Sequence, residues 1–229
     1  MTGVVRVLHA SDVHIDDTVG GDRGLVQLVD AAVELAVDLV LLVGDTFDDN
    51  RVKAATTTSF AAHLDRLRVP VVVLPGNHDP LMEGSVYDRT DLPDHVIVLR
   101  DPKGTSVVLA DLGIELWGRP HMSFADHRPL DGLPPRGEQP WQIALAHGHL
   151  VRYDEDRHRS YLITSEEIAA TDRDYLALGH WDVQHDVSAG GVTAWYSGSP
   201  RRFATCALVT LSTTANGRDV HVEPVRLPG

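Results

Sequence analysis

Three short apolar segments open the chain at residues 4–9, 38–43 and 69–74, and two stretches of helical periodicity separate them. This alternation constrains the fold more than any other feature. The middle segment, DLVLLV, is nearly continuous in apolar residues, as expected for a strand buried on both faces. Between the segments, residues 24–37 carry Leu25, Leu28, Val29, Ala32 and Ala36 at helical spacing. Residues 54–68 set Phe60, Leu64 and Leu67 on one side of a second helix. Strand, helix, strand, helix, strand is a pair of βαβ units, which lays parallel strands in one layered sheet. The fold class is therefore α/β.

The second half changes character. Residues 96–99, 106–110 and 114–117 read as a meander of short strands separated by turn signals. Residues 118–140 are rich in proline and glycine and read as a long surface loop. A strand at 142–147, a helix near 165–171 and a strand at 175–179 follow, then strands at 192–197, 205–211 and 220–227. Chemistry on both sides of the loop makes residues 1–229 one domain in this reading.

Composition narrows the class. Hydrophobic residues at 43% and charged residues at 23% are ordinary for a globular chain and exclude wholesale disorder. The apolar run 36–44 is interrupted by Asp38 and falls well short of the ~20 residues of a membrane helix. Asp12, His14, Asp16 and Asp17 break any secretory signal pattern. The single Cys206 excludes an internal disulfide and a thiolate zinc cluster, pointing to a reducing, cytoplasmic setting with no membrane. A net charge of −13 argues against a general nucleic-acid surface and leaves room only for a local basic groove. Thirteen histidines beside one cysteine favour a site of imidazoles and carboxylates.

Ligands of open α/β sheets bind off the carboxyl ends of the strands. Here those ends read Asp12-Val13-His14, Gly44-Asp45-Thr46-Phe47-Asp48, Gly76-Asn77-His78-Asp79, Ala146-His147-Gly148-His149 and Gly179-His180-Trp181-Asp182. Any one of these reads as a capping Asp, a turn Asn or a surface His. Five at the same end do not. Oxygen and nitrogen donors without sulfur suit hard or borderline divalent metals. Six or seven donors exceed the three or four protein ligands of a single zinc site and fit two metals about 3.5–4 Å apart with a bridging carboxylate. Gly44 and Gly76 fit sharp turns where backbone approaches the site.

The set DVH, GDTFD, GNHD, AHGH and GHWD resembles the calcineurin-like metallophosphoesterase superfamily. Within it, HASDVHID, LALGH and YSGSPRRF most resemble the catalytic domain of SbcD-type DNA repair exonucleases. The resemblance implies a layered α/β/β/α fold, two packed mixed sheets flanked by helices. It implies that Asp12 and His14 hold a first metal, that Asp45 bridges, and that Asn77, His147 and His180 hold a second. His78 is implied as general acid above the metals, with Asp79 orienting it and keeping it protonated. The implied cofactor is a pair of divalent ions, manganese first, with iron, zinc, nickel or magnesium as alternatives. The implied reaction is phosphate-ester hydrolysis by a metal-bridging hydroxide.

The family pattern ends in Gly-His-x-His, and here Asp182 stands at the last position. An Asp supplies an oxygen for the missing imidazole; His185, three residues on, is the other candidate to complete the first shell. His149 reads as a loop histidine bonded to backbone, ahead of a substrate role. His121 reads as a solvated loop residue. Arg201 and Arg202 could meet a phosphate backbone. The leading function is a phosphodiesterase or SbcD-like nuclease acting on a phosphate ester such as DNA or a nucleotide. A phosphomonoesterase or small-nucleotide phosphodiesterase is the alternative. So is a catalytically weak metal-binding scaffold, motivated by Asp182. SbcD-type nucleases continue into a DNA-capping region and a segment that docks an ATPase partner; a chain of 229 residues is expected to carry neither.

Overall fold

The computed structural model describes residues 3–214 and 217–228. The first half folds as β1 (Val4–Ala10), α1 (Arg23–Glu34), β2 (Leu39–Val43), α2 (Ala54–Leu64), β3 (Val71–Leu74) and β4 (Val96–Val98). Strands β1 to β4 lie side by side in parallel, with Val7 opposite Leu39 and Val40 opposite Val71. The continuous apolar character of β2 follows from its position. Leu39, Leu41 and Val43 face one core while Val40 and Leu42 face another, shared with Leu25, Leu28 and Phe60 of the helices.

The chain continues through β5 (Thr105–Leu109), β6 (Ile114–Gly118), β7 (Trp141–His147), β8 (His149–Leu150), β9 (Leu162–Ile163) and α3 (Ser165–Ala170). It ends with β10 (Tyr175–Gly179), β11 (His185–Asp186), β12 (Thr193–Tyr196), α4 (Pro200–Phe203), β13 (Thr205–Thr214) and β14 (Gly217–Arg226). One sheet runs β14-β13-β1-β2-β3-β4 and the other β11-β12-β10-β7-β6-β5. Val7, Leu41, Val72, Ile143, Leu145 and Tyr175 fill the space between them. The outer face of the second sheet packs Ala144, Leu176 and Leu178 against Ile168 of α3. Thr164 and Glu167 cap that helix reciprocally, at 3.1 and 2.7 Å. Two mixed sheets flanked by helices are what the resemblance implied.

The meander is corrected. Residues 96–98 pair in parallel with β3, Val71 opposite Val96, whereas β5 and β6 form a hairpin in the other sheet. The turn signals at 101–104 mark the chain's passage between sheets. Residues 119–140 carry neither strand nor helix among those described. They are nonetheless anchored: His121 donates its backbone N–H to the Pro75 carbonyl and accepts from Leu81. Among the described residues no helix is long and apolar enough to cross a membrane.

Candidate metal centre

The parallel register carries on past the strand ends. Asp12, His14 and Ile15 donate backbone N–H groups to the carbonyls of Gly44, Asp45 and Thr46, at 3.1, 3.0 and 2.9 Å. The two loops are thus zipped together, with their side chains thrown toward one cleft. Asp12, His14 and Asp45 sit in left-handed backbone at φ of 54°, 49° and 52°, and His180 is at 105°. Asp and His tolerate that region better than most residues, and such strain persists only where the surroundings enforce it. The glycines answer to the same crowding. A Cβ on Gly44 would lie 1.9 Å from the His147 ring, and one on Gly76 2.2 Å from Asp45 Oδ1.

The imidazoles are aimed by their other nitrogens. His147 donates Nδ1–H to the Val43 carbonyl at 2.9 Å, which turns Nε2 toward Asp45 Oδ2 and Asn77 Oδ1, each 3.2 Å away. His180 Nδ1 reaches the same Asn77 oxygen at 3.1 Å, and its backbone N–H donates to Asp12 Oδ2 at 2.9 Å. His14 Nδ1 meets the Asp48 carboxylate at 3.0 Å, so its Nε2 faces inward. Three overlapping sets bring possible ligand atoms within 4.8 Å of one another: His14, Asp45 and His78; Asp45, His147 and His180; and Asp12, His14 and Asp182. All of these but the fully buried His147 line a cleft of about 320 Å³ together with Asp48, Asn77, Arg201 and Arg202.

The electrostatics fit a cation. Asp12 and Asp45 are each only 2% exposed, and among the described residues neither has an Arg or Lys ion pair. Burial lifts Asp12 to about 6 despite the nearby His147. Burial works the same way on Asp45, but His147 and His78 outweigh it and hold its carboxyl well below the usual range. Burial alone would depress His147; the Asp45 and Asp12 carboxylates carry it up to about 9. His180, half-buried beside His147, is pushed down to about 3 by desolvation and by the His147 charge. Two desolvated carboxylates sharing histidines are costly without further positive charge. A divalent ion supplies that charge, and the oxygen and imidazole donors suit it.

Several residues stand where sequence reasoning expected, and several do not. Asp12, His14, Asp45, Asn77, His147, His180 and Asp182 converge. His185 is in none of the three sets; its ring lies against Trp181 at 5.9 Å. Asp79 is corrected. Its carboxylate accepts from Gly76 N–H, Phe47 N–H and the Tyr87 hydroxyl at 2.7, 2.9 and 2.6 Å, bracing the loop rather than His78. His78 instead donates Nδ1–H to the Asp48 carbonyl at 3.0 Å. His149 is also corrected. One nitrogen accepts from Trp181 Nε1 at 3.0 Å and the other meets Asp156 at 3.3 Å, so neither is left for substrate. His121, expected in solvent, is fully buried and donates Nε2–H to the His147 carbonyl at 2.9 Å. Arg201 is spent on Asp16 at 2.6 Å and on the His14 carbonyl, whereas Arg202 is mostly exposed with its Nε 3.4 Å from Asp182.

Two residues were missed. Asp48 orients His14 by its carboxylate and His78 by its carbonyl; its place three residues after Asp45 in GDTFD was the available signal. Trp181, between His180 and Asp182, stacks on Tyr196 at 4.5 Å and 13° with the Arg152 guanidinium 4.7 Å over its ring. Nothing in the local sequence announces that sandwich.

Known proteins resemble this chain in sequence and in fold. Among curated proteins, the chain is 24% identical to the uncharacterized metallophosphoesterase YhaO of Bacillus subtilis (strain 168) over 216 residues, 84% of this chain and 52% of that one. It is 26% identical to the D component of the SbcCD nuclease of the same organism over 246 residues, 87% of this chain and 62% of the other. The chain thus spans less than two thirds of either relative. In fold it is similar to TT1561 of Thermus thermophilus, with a TM-score of 0.61 at 14% identity over 96% of this chain and 99% of that one. A novel archaeal phosphodiesterase gives 0.51 at 14% identity, over 96% and 100%. The family model for calcineurin-like phosphoesterases matches residues 5–184, most of the chain and every strand end that builds the cleft except the one leading to Arg201 and Arg202. The chain therefore belongs to the calcineurin-like phosphoesterases, a family of metal-dependent phosphoester hydrolases.

Proposed function

We propose that the chain is a binuclear, manganese-preferring phosphodiesterase, with nucleic acid or nucleotide diesters as its substrate class. The observation that carries this reading is the sharing of Asp45 between two of the three ligand sets, with His14 shared between the other pairing. Asp12, His14 and Asp182 would hold one cation, and Asn77, His147 and His180 the other, with Asp45 between them. When bound, such ions polarise the phosphoryl group and lower the pKa of coordinated water toward neutrality.

The chain's own groups do the rest. His78 donates Nδ1–H to the Asp48 carbonyl, so a proton carried on Nε2 makes the ring an imidazolium whose free N–H faces the cleft. That proton passes to the leaving alcohol oxygen. A positioned general acid is worth roughly 10²–10⁴ in rate. Arg202, exposed at the rim beside Asp182, meets the non-bridging oxygens, while Arg201 keeps the loop of His14 and Asp16 in place. The relative from the SbcCD nuclease supports a nucleic-acid substrate; the net charge of −13 confines that contact to the cleft.

The test is metal stoichiometry together with a substrate panel. The protein should bind two manganese ions and hydrolyse bis(p-nitrophenyl) phosphate in their presence, with single- and double-stranded DNA, cyclic nucleotides and aryl monoesters defining preference. Faster turnover of monoesters than diesters overturns the diesterase assignment. Tight metal binding with no turnover of any ester makes the chain a scaffold.

A further inference from the structure

Beside the metal centre lies a second cleft of about 500 Å³, walled by Asp49, Arg51, Met82, Glu83 and Phe124. Its size falls within the ~300–1,000 Å³ of small-molecule sites. Phe124 is 64% exposed and Met82 38% exposed, large apolar side chains left facing solvent at its mouth. All its walls are tied to the centre. Asp49 follows Asp48, whose carbonyl takes the His78 ring proton. Met82 is four residues beyond His78 on the same loop, and Asn50 donates its amide to the Pro80 carbonyl at 2.9 Å, fastening the two loops together. The third wall is held by the Tyr161 hydroxyl, which donates to the Phe124 carbonyl at 3.1 Å; the Tyr161 ring is 6.3 Å from that of His180.

We propose that this cleft binds the aromatic part of the substrate's leaving alcohol, with Phe124 and Met82 as the surfaces on which a planar ring stacks. The inference rests on the phosphoesterase reading above and extends it to a substrate class. His78 delivers its proton to the leaving oxygen, so the body of the leaving alcohol lies on the His78 side of the phosphorus; the His78 ring is held by Asp48, and Asp49, the next residue, begins the wall of this cleft. A ring laid against Phe124 gains the offset-stacking and burial energy that a sugar or alkyl group does not. Met82 adds a polarizable contact at the ring edge.

Phosphonates, whose P–C bond is not hydrolysed, provide a readout independent of turnover. Calorimetry on the manganese-loaded protein compares the phosphonate analogue of AMP with that of ribose 5-phosphate, and benzylphosphonate with ethylphosphonate. The aromatic member of a pair should bind about tenfold more tightly. A gain in both pairs identifies any aryl alcohol, and a gain in the nucleoside pair alone identifies a nucleobase. Phe124→Ala should abolish the gain, leave the ribose phosphonate unchanged and preserve metal content, while Phe124→Trp should retain it. Equal affinities within both pairs, or a gain that survives both Phe124→Ala and Met82→Ala, overturns the proposal and leaves the phosphoesterase reading standing. Failure of every phosphonate to bind overturns the proposal, and turnover of bis(p-nitrophenyl) phosphate then decides the phosphoesterase reading separately.

Discussion

His78 and Asp182 decide most about the chemistry, and each separates one mechanism from another. His78 lies within ligand reach of His14 and Asp45, yet its side chain is 45% exposed and one nitrogen is spent on the Asp48 carbonyl. As a general acid, His78→Ala should keep its metals while turnover of diesters with poor leaving groups falls by about 10² or more. The loss should be smaller for p-nitrophenyl esters, whose leaving group departs without a proton. Equal losses with metal depletion would make His78 a ligand. Asp182 shares a ligand set with Asp12 and His14, and Arg202 balances its charge from the rim. Asp182→Ala should therefore weaken the first metal alone by calorimetric titration, Asp182→His should be tolerated, and His185→Ala should be silent. A tightly bound metal pair in Asp182→Ala would remove it from the shell. The seven converging residues were legible because each ends or follows a strand in a short motif. The true partner of Asp79 was not, since its hydrogen bonds run to Phe47 and Tyr87 across loops that only the fold brings together.

Elements explain why the site is held where it is. β1, β2 and β3 were legible from apolar periodicity, and β2 above all, because a strand buried on both faces needs a continuous apolar run. β8, β9, β11 and α4 span two to four residues each, too few for a period to show. Sheet membership was hidden for a related reason. Turn residues before β5 look the same whether the chain doubles back on its own sheet or crosses to the next. The loops after the strands are where geometry turns into chemistry, and Gly76 is where their crowding falls on Asp45. A Cβ there would meet Asp45 at both Oδ1, 2.2 Å away, and the backbone nitrogen, 2.3 Å away. Overpacking of this kind costs typically ~1–3 kcal/mol, and here the group displaced is the Asp45 carboxylate, proposed to lie between the two ions. Gly76→Ala should lower the melting temperature modestly, keep the far-ultraviolet dichroism of the parent and lose most manganese affinity. Unchanged metal binding would show that Asp45 can move without consequence, against its role between the two ions.

Across the whole molecule the two sheets meet over an apolar core into which a His–Tyr pair is buried. His9 on β1 and Tyr175 on β10 share a 2.8 Å hydrogen bond between His9 Nδ1 and the tyrosine hydroxyl, and both are completely buried. Burial holds His9 down to about 3, from 6.5 in an unfolded chain. The unfolded state therefore binds a proton that the folded state refuses throughout that window, and the sign follows: the stability that His9 contributes is complete above pH 6.5 and is lost progressively as pH falls toward 3. At pH 4.5, two units below 6.5, the penalty should be about 3 kcal/mol, given about 1.4 kcal/mol for each pKa unit. His121, depressed to about 2 by burial and the neighbouring His147, adds to the same acid limb. The double variant His9→Leu, Tyr175→Phe removes donor and acceptor together, so no buried polar group is left without a partner. Urea denaturation of chelator-treated protein at pH 7.5 and 4.5 should show the parent losing more stability than the double variant. Equal losses would mean that His9 takes up its proton without opening the interface between the sheets. Acid unfolding would then begin at the cluster of Asp12, Asp45 and His147, where the two sheets' strand ends also meet.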